Sequence, residues 1–444
     1  MKVQFLTLIT FIGTNLAFSQ DLPKSFSLEE AIVYALEYNY SVINADREIL
    51  DAQKQKWEII ATGLPQIDGN LSYQNQLKQP VTLIPGEIVG GDPGSFLPVV
   101  FGQQNQVNAT ATLRQQIFDG SYIVGVQATE AFLRYSQNNK DKTDQEVRKA
   151  VIEAYGNVLL AKETVAILEN NKATLEKNLF ETQKLYENGL GDEESVEQLQ
   201  ITLSSISSAL KNSIRFEDIT LQMLNLMMGL PIENQTELTE NLDDLVLKQI
   251  DFNLLESEFY MENNLDYKLV YNLNEQRYYE LKLARSKALP TLNAFVNYGT
   301  SAFSNTFTFF ENEQQWYGAS VLGFDLKIPI FSSLNRSATT QRAKIAYDQA
   351  KTQLTETEEQ IKLQLERAKS DYIFSIEEYE TTKNNLNLAE RIEKKNETKY
   401  FEGLATSFEL RQAQVQLYTA QQDYLESMVQ VINRKTELET VLNN

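Results

Sequence analysis

A long stretch without proline, residues 121–188, limits the possible folds of this chain more than any other feature. Apolar residues recur in it at spacings that alternate between four and three, at Val147, Val151, Ala154, Val158, Ala161, Val165 and Leu168, and again at Leu175 and Leu179. A period of about 3.5 residues predicts a helix that packs as a coiled coil. At about 1.5 Å per residue this helix would be roughly 100 Å long. Gly189-Leu190 breaks it and the returning helix ends at Gly229-Leu230-Pro231, which predicts a helical hairpin over residues 121–229.

Before this hairpin the apolar residues alternate with a period of two, which is typical of half-buried strands. Two strands are predicted, at about residues 66–78 and 105–118. The segment between them, residues 79–104, contains Pro80, Pro85, Pro93 and Pro98 and is predicted to be a long loop.

The same order of features recurs in the second half of the chain at nearly constant offsets. Strands are predicted at about 291–303 and 316–331, followed by a helical hairpin over 335–444 that is broken at Gly403-Leu404. In the fourth strand, the apolar set changes phase near Gly323, which predicts a β-bulge there. The chain is therefore predicted to be mainly α with a small β part. It would consist of repeat 1 (20–231), an acidic linker (232–262) and repeat 2 (263–444).

The first residues are typical of a signal peptide, predicted over residues 1–19. Lys2 precedes a short apolar run, and Ala17-Phe18-Ser19 places small residues before a cleavage site at Gln20 or Asp21. Neither this run nor any later one is long enough for a transmembrane helix. We therefore expect export from the cytoplasm without a helical membrane anchor.

The composition excludes several classes of function. The chain has no cysteine and no histidine, so it has neither a thiolate nucleophile nor a Ser-His-Asp triad, and no His- or Cys-ligated zinc. It also lacks a Gly-rich phosphate loop and a helix-borne metal motif, so we expect no enzyme, no catalytic residue, no metal and no cofactor. The net charge of −21 argues against nucleic acid as a partner. The acidity fits either solvated helices or a lumen that favours cations.

The strand pattern itself suggests a membrane structure. One face of each strand is apolar, and the other is rich in Asn, Gln, Thr and Ser, as in transmembrane barrels. Four strands cannot close a barrel, and open edges are not tolerated in lipid. A homotrimer would supply a twelve-stranded transmembrane β-barrel in contact with outer-membrane lipid, and the long hairpins would form an α-helical coiled-coil tunnel below it. The alternative is the edge of a soluble β-sandwich with surface aromatic residues.

With these features, the chain resembles the TolC-like outer-membrane efflux protein family. The resemblance lies in residues 28–39, in Leu64-Pro65 and Phe118-Asp119-Gly120, in Gly229-Leu230-Pro231, Ala288-Leu289-Pro290 and Pro329-Ile330-Phe331, and in both Gly-Leu breaks. It implies a homotrimeric exit duct in the outer membrane of a Gram-negative bacterium, extending into the periplasm. Such a duct is the passive channel of a tripartite efflux or type I secretion system. Its partners are a periplasmic adaptor (membrane fusion protein) and an inner-membrane pump, and its cargo is not readable from the sequence.

The resemblance also implies functional sites. The hairpin tips, at Gly189, Leu190, Gly403 and Leu404, correspond to the places where family members meet the adaptor. The periplasmic aperture would include Tyr400, Glu409 and Gln412. The family has Arg and Asp where this chain has Ala405 and Gln412, so an Arg–carboxylate latch is not expected, and three copies of Glu409 would form a cation-preferring gate. Glu409 as an ordinary solvated residue and Tyr400 as plain hairpin packing remain open.

Two rival functions use similar elements. A periplasmic adaptor also has a helical hairpin, but one hairpin within split β-domains, whereas two hairpins are predicted here. A coiled-coil surface or structural protein, such as a trimeric adhesin, would place its barrel segment at the C-terminus, whereas these strands lie in both halves of the chain.

Overall fold

A computed structural model describes residues 25–443, so the predicted signal peptide lies outside the described residues. The helices are α1 (Leu28–Tyr38), α2 (Tyr40–Thr62), α3 (Gly120–Glu187), α4 (Glu193–Met228), α5 (Leu242–Gln249), α6 (Leu265–Ser286), α7 (Asn335–Phe401) and α8 (Ser407–Leu442). The strands are β1 (Ser25–Phe26), β2 (Gln66–Asn75), β3 (Val81–Pro85), β4 (Phe96–Val100), β5 (Asn105–Asp119), β6 (Glu237–Leu238), β7 (Thr291–Ser304) and β8 (Trp316–Lys327). The prediction of a mainly α chain with a small β part is confirmed.

The described chain divides into two compact units, and each unit takes segments from both predicted repeats. The hairpin unit consists of residues 25–40, Glu146–Glu256 and Ala368–Thr440. The sheet unit consists of Ser41–Gln145, Ser257–Arg367 and residues 441–443. The predicted linker 232–262 contains β6, α5 and two short 3-10 segments, Phe252–Glu256 and Met261–Asn263.

The helix ends follow the local chemistry of the sequence. Ser27 caps α1 and forms a capping box with Glu30, which satisfies backbone N–H groups that the helix leaves unpaired. Helix α4 ends at Gly229, which has a left-handed φ of 81°. A Cβ at Gly229 would lie 2.1 Å from the carbonyl oxygen of Tyr38, so glycine is required there for both conformation and space.

The sheet unit contains one four-stranded antiparallel sheet in the order β2-β5-β7-β8. Its two central strands, β5 and β7, come from different repeats and pair from Asn105 with Ser304 to Asp119 with Thr291. Strands β2 and β8 are the edges of this sheet. The sheet is therefore completed only when both halves of the chain contribute to it.

One face of the sheet is apolar and exposed. Residues paired across the sheet share a face. Rows such as Leu113, Val296 and Leu322 run across it. Large side chains on this face are strongly exposed, for example Leu71 (74%), Phe324 (67%) and Ile67 (72%). The opposite face carries polar contacts, such as the 2.7 Å hydrogen bond from the Asn297 amide to the Thr112 hydroxyl.

The predicted bulge near Gly323 is wrong. Strand β8 pairs with β7 from Trp316 to Lys327 without a register shift, and the shift occurs instead in β5, between Gln116 and Phe118. The apolar face of β8 includes the small residues Gly318 and Ser320. Because neither is a large apolar residue, the sequence alone did not show which residues of β8 share this face. Gly323 lies on the polar face, where the Phe295 ring occupies the space that a Cβ would fill, 2.4 Å away.

Two further segments differ from expectation. Residues 79–104 are not a plain loop, because β3 and β4 pair in a small antiparallel hairpin from Val81–Val100 to Pro85–Phe96. In the sequence, the prolines argue against strands here. A two-stranded hairpin accommodates Pro85 and Pro98, because each of its strands has a free edge where no N–H donor is needed. The fourth strand ends at Lys327 rather than at 331.

The core of the hairpin unit follows the long helices. Val147, Val151, Val158 and Ala161 of the predicted stripe are buried along α3. Nearer the end of α3 the buried stripe moves to Asn171, Leu175, Asn178 and Thr182, while Leu179 is only half-buried. A straight helix drifts by about 20° per heptad against a strict seven-residue repeat, which explains the change of face.

Candidate functional site

The tip between α3 and α4 is built on a left-handed glycine. Gly189 has a φ of 75°, and its N–H donates to the Tyr186 carbonyl at 2.9 Å. The Leu190 N–H donates to the Leu185 carbonyl at 2.9 Å, which completes a Schellman motif. Asp192 then caps α4 by accepting a 2.7 Å hydrogen bond from the Ser195 N–H. Leu190, held at this turn, is 77% exposed.

The tip between α7 and α8 repeats this geometry. Gly403 has a φ of 73°, its N–H donates to the Tyr400 carbonyl at 3.0 Å, and the Leu404 N–H donates to the Lys399 carbonyl at 2.8 Å. Leu404 is 73% exposed. Each tip thus presents one leucine to solvent on a rigid, hydrogen-bonded turn.

Glu409 belongs to the cap of α8. Its carboxylate accepts hydrogen bonds from the Thr406 N–H at 2.7 Å and from the Thr406 hydroxyl at 3.0 Å. The Glu409 N–H in turn donates to the Thr406 hydroxyl oxygen at 3.2 Å, so the two residues form a capping box. The hydrogen bond from the Thr406 backbone, followed by that from its hydroxyl, lowers the pKa of Glu409. The side chain is exposed and remains ionised near neutral pH.

The three predicted aperture residues have different surroundings. The Tyr400 hydroxyl shares a 3.2 Å hydrogen bond with the Thr182 hydroxyl of α3, and the Tyr400 ring contacts that of Phe401. Gln412 is exposed on α8. No hydrogen bond joins Tyr400, Glu409 and Gln412 to one another within the described residues. The structure therefore brings each to the region of the second tip without linking them.

Two partners of these residues were missed in the sequence. Thr406 could have been found, because Thr406 and Glu409 have the Thr-x-x-Glu spacing of a capping box. Thr182 had no such signal, because its contact with Tyr400 depends on how α3 and α7 pack.

Each long helix also carries one fully buried tyrosine that bonds to the backbone of the hairpin unit. The Tyr155 hydroxyl of α3 donates to the Phe26 carbonyl at 3.1 Å. The Tyr372 hydroxyl of α7 donates to the Gln249 carbonyl at 2.7 Å and accepts from the Asp251 N–H at 2.9 Å. Burial, and then the charge of Glu240, raise the pKa of Tyr155.

At one end of the sheet, aromatic side chains gather on the apolar face. Phe309 covers Val107 and Ala302, and all three are buried. The Tyr73 ring lies 5.6 Å from that of Phe307, whose ring is 5.4 Å from that of Phe309. The Tyr73 ring near the end of β2 is therefore joined by aromatic side chains of the β7–β8 connection.

Across residues 25–443, none of the helices combines the length and the apolar character that a bilayer-spanning helix needs. Within the same residues, no cluster of three or more acidic side chains has the arrangement of a metal site.

Comparison with known proteins places this geometry in context. A model of the family described as outer membrane efflux protein matches residues 272–444. The chain is 21% identical to the proteases secretion protein PrtF of Dickeya chrysanthemi over 267 residues, which are 58% of this chain and 56% of PrtF. It is 23% identical to the outer membrane protein TolC of Vibrio cholerae over 259 residues, which are 55% of this chain and 56% of TolC. The matches thus span about half the length of these curated relatives.

The fold is similar over a much larger part of the chain. The crystal structure of the outer membrane protein VceC of Vibrio cholerae superposes with a TM-score of 0.73 at 16% identity, over 94% of this chain and 96% of VceC. The structure of CusC gives a TM-score of 0.74 at 16% identity, over 94% of this chain and 92% of CusC.

Proposed function

We propose that this chain, whose residues 272–444 belong to the outer membrane efflux protein family and whose fold is TolC-like, is one subunit of an outer-membrane exit duct. The duct is a passive channel that carries cargo across the periplasm and the outer membrane, within a tripartite efflux or type I secretion system. It lies in the outer membrane of a Gram-negative bacterium and extends into the periplasm.

The observation that carries this proposal is the four-stranded sheet. Its apolar face exposes large side chains, and β2 and β8 leave its two edges open. Lipid covers the apolar face at no cost, but it cannot satisfy the backbone groups of an open edge. Edge β2 of one copy therefore pairs with edge β8 of the next. Three copies close a ring of twelve strands, so the functional unit is a homotrimer.

The two hairpin tips fit the docking sites for a periplasmic adaptor, which links the duct to an inner-membrane pump. Leu190 and Leu404 are exposed apolar side chains on turns with the same hydrogen-bonding pattern. A trimer has six such tips around its axis, two from each subunit. An adaptor therefore meets an exposed leucine at each of the six positions. Because each leucine lies on a hydrogen-bonded turn, little conformational entropy is lost when the adaptor docks.

The aperture is proposed to lie beside the second tip. The cap of α8 holds Glu409 in one conformation, and its lowered pKa keeps the carboxylate charged. Three such carboxylates around one axis favour cations. Tyr400 and Gln412 are proposed to flank this ring, Tyr400 being held by Thr182.

The rival functions lack support in the fold. A fold match over 94% of the chain to outer membrane channels leaves no room for the split β-domains of an adaptor. A coiled-coil surface protein would not need a sheet with two open edges and one exposed apolar face.

The experiment is a planar-bilayer recording of the purified mature protein, with its oligomeric state measured in the same detergent. We expect a trimer that is extracted only with detergent and that conducts ions across the bilayer. A water-soluble monomer without conductance would overturn the proposal.

A further inference from the structure

Two amide side chains are buried in the hairpin unit without any hydrogen-bonding partner among the described residues. Asn178 of α3 is 0% exposed and Gln414 of α8 is 1% exposed. In both side chains neither the amide nitrogen nor the oxygen has a protein partner. Buried amides are costly to leave unsatisfied, so a pair of them in one unit requires an explanation.

The packing of α3 against α8 places these two side chains at the same level. The helices approach each other at Gly156, where an added Cβ would be 3.9 Å from Ile432. Further along, the Asn171 amide donates to the Gln421 side-chain oxygen at 2.9 Å. A cavity of about 490 Å³ beside these contacts is lined by α3 and α8, and also by α4. From the first contact to the second, the position moves toward the C-terminus of α3 and toward the N-terminus of α8. The two helices are therefore antiparallel.

Asn178 lies seven residues after Asn171 on α3, and Gln414 lies seven residues before Gln421 on α8. In an antiparallel pair both positions are one heptad from the Asn171–Gln421 pair. Helices that pack side by side keep this register from one heptad to the next. Continued by one heptad, this register brings the two amides opposite each other across the contact between α3 and α8. They are too far apart for a direct hydrogen bond, since neither has a protein partner.

The surrounding contact is polar for a coiled coil. The buried stripe of α3 here consists of Asn171, Leu175, Asn178 and Thr182, so only one of its four members is apolar. Between Val147 and Ala161 of the same helix, the buried side chains are aliphatic except for Tyr155. The apolar contact that holds α3 to its neighbours thus weakens toward the tip.

We propose that Asn178 and Gln414 form a single buried amide layer that binds ordered water between α3 and α8. Each amide offers donors and an acceptor, and a bridging water satisfies both sides when it has two to four polar partners. Separation of the helices at this layer exposes amides that bulk water solvates readily, whereas separation at an apolar layer exposes hydrocarbon. On the proposed function, this layer is where the hairpins part when the periplasmic end of the duct opens.

The test of the layer is a double-mutant cycle on the full-length protein in detergent, read as the midpoint temperature of thermal unfolding. Asn178→Leu and Gln414→Met each remove one amide and leave the other buried with fewer partners. Each single variant is expected to lower the midpoint by about 2 to 4 °C. The double variant replaces both amides by apolar groups of similar size, and its midpoint is expected to equal or exceed that of the unmodified protein. Gln416→Met, at an exposed position of α8, is the matched control and should not shift the midpoint.

Additive losses in the double variant would overturn the proposal, because they would mean that the two amides do not share one site. Single variants without any loss would overturn it too, since the amides would then be satisfied independently.

The role in opening is read separately, as the open probability in a planar bilayer. The double variant is expected to open less often than the unmodified protein, with unchanged single-channel conductance. An unchanged open probability would remove this role and leave the amide layer intact. A protein that never conducts would instead contradict the proposed function, while the unfolding cycle would still decide on the layer.

Discussion

At the scale of single residues, Glu409 of the proposed aperture combines a structural role with a negative charge. Glu409 completes the cap of α8 through Thr406, and the same hydrogen bonds lower its pKa. The stabilisation from this ionised cap is complete above the ordinary glutamate pKa of 4.5. It is lost as the pH falls through the lower pKa of the folded state. The negative charge and the cap can be separated by mutation.

Glu409→Gln keeps an acceptor for the Thr406 N–H but removes the charge. If three Glu409 carboxylates form the gate, the ratio of cation to anion permeability should fall roughly two-fold or more. Thr406→Ala is the matched variant, because it removes the hydroxyl of the cap and keeps the charge, so its selectivity should be unchanged. Reversal potentials in a salt gradient measure both. Equal selectivity in the two variants would remove Glu409 from the gate.

Tyr155→Phe removes a buried hydroxyl and leaves the Phe26 carbonyl without its 3.1 Å donor. The loss of unfolding free energy should be about 1 kcal/mol. The raised pKa of Tyr155 means that the folded state holds its proton more tightly than the unfolded state. The contribution is therefore complete below pH of about 10 and is lost as the pH rises above it. Denaturant unfolding at several pH values measures this, and a difference between variant and parent that does not shrink at alkaline pH would contradict it.

At the scale of elements, glycine positions decide where the long helices end. Gly189, Gly229 and Gly403 all have a positive φ, but their surroundings differ. An added Cβ meets nothing within 4 Å at Gly189 or Gly403, whereas at Gly229 it meets the Tyr38 carbonyl oxygen. The tips thus need glycine for backbone conformation alone, and the end of α4 needs it for space as well.

Gly189→Ala and Gly403→Ala should each cost about 1 kcal/mol of unfolding free energy, the cost of a left-handed alanine. Gly229→Ala should cost at least about 3 kcal/mol, because its Cβ also displaces the end of α1. Chemical denaturation of the three variants in the same detergent compares them. A Gly229→Ala variant as stable as the tip variants would show that α1 yields without cost.

The long helices and their breaks were predictable because heptads and Gly-Leu turns are local signals. The alternating strands were also readable, and the family resemblance that these signals supported is confirmed. The phase of β8 was not readable, because the small residues Gly318 and Ser320 lie on its apolar face. The β3–β4 hairpin was hidden by prolines. The hydrogen bond of Thr182 and the burial of Asn178 depend on helix packing, which no local pattern encodes.

At the scale of the whole molecule, the proposed trimer depends on the two open edges of the sheet, β2 and β8. The polar-face row Asn70, Thr110, Gly299 and Ala319 runs from one edge strand to the other. In a closed ring this row continues into the next subunit, displaced by the tilt of the strands. The chain contains no cysteine, so introduced thiols would be its only ones.

Asn70→Cys combined in turn with Ala319→Cys or Val321→Cys should cross-link neighbouring copies wherever the Cα atoms lie within about 7 Å. At one of these positions, oxidation should give a ladder that ends at the trimer on a denaturing gel. Each single-cysteine variant is the control and should give no ladder. Cross-linking that stops at the dimer at every position would exclude a closed ring of three.

The pairing of β5 with β7 also sets the order in which the chain can fold. These partners are separated by the whole first helical hairpin, the linker and α6, so forming the contact closes a long loop and is slow. Until the second half of the polypeptide arrives, the strand β5 has an unpaired side that invites aggregation. An emerging chain is therefore most prone to aggregation when only its first half is available. The time that a holding chaperone must cover is set by the time needed to deliver β7.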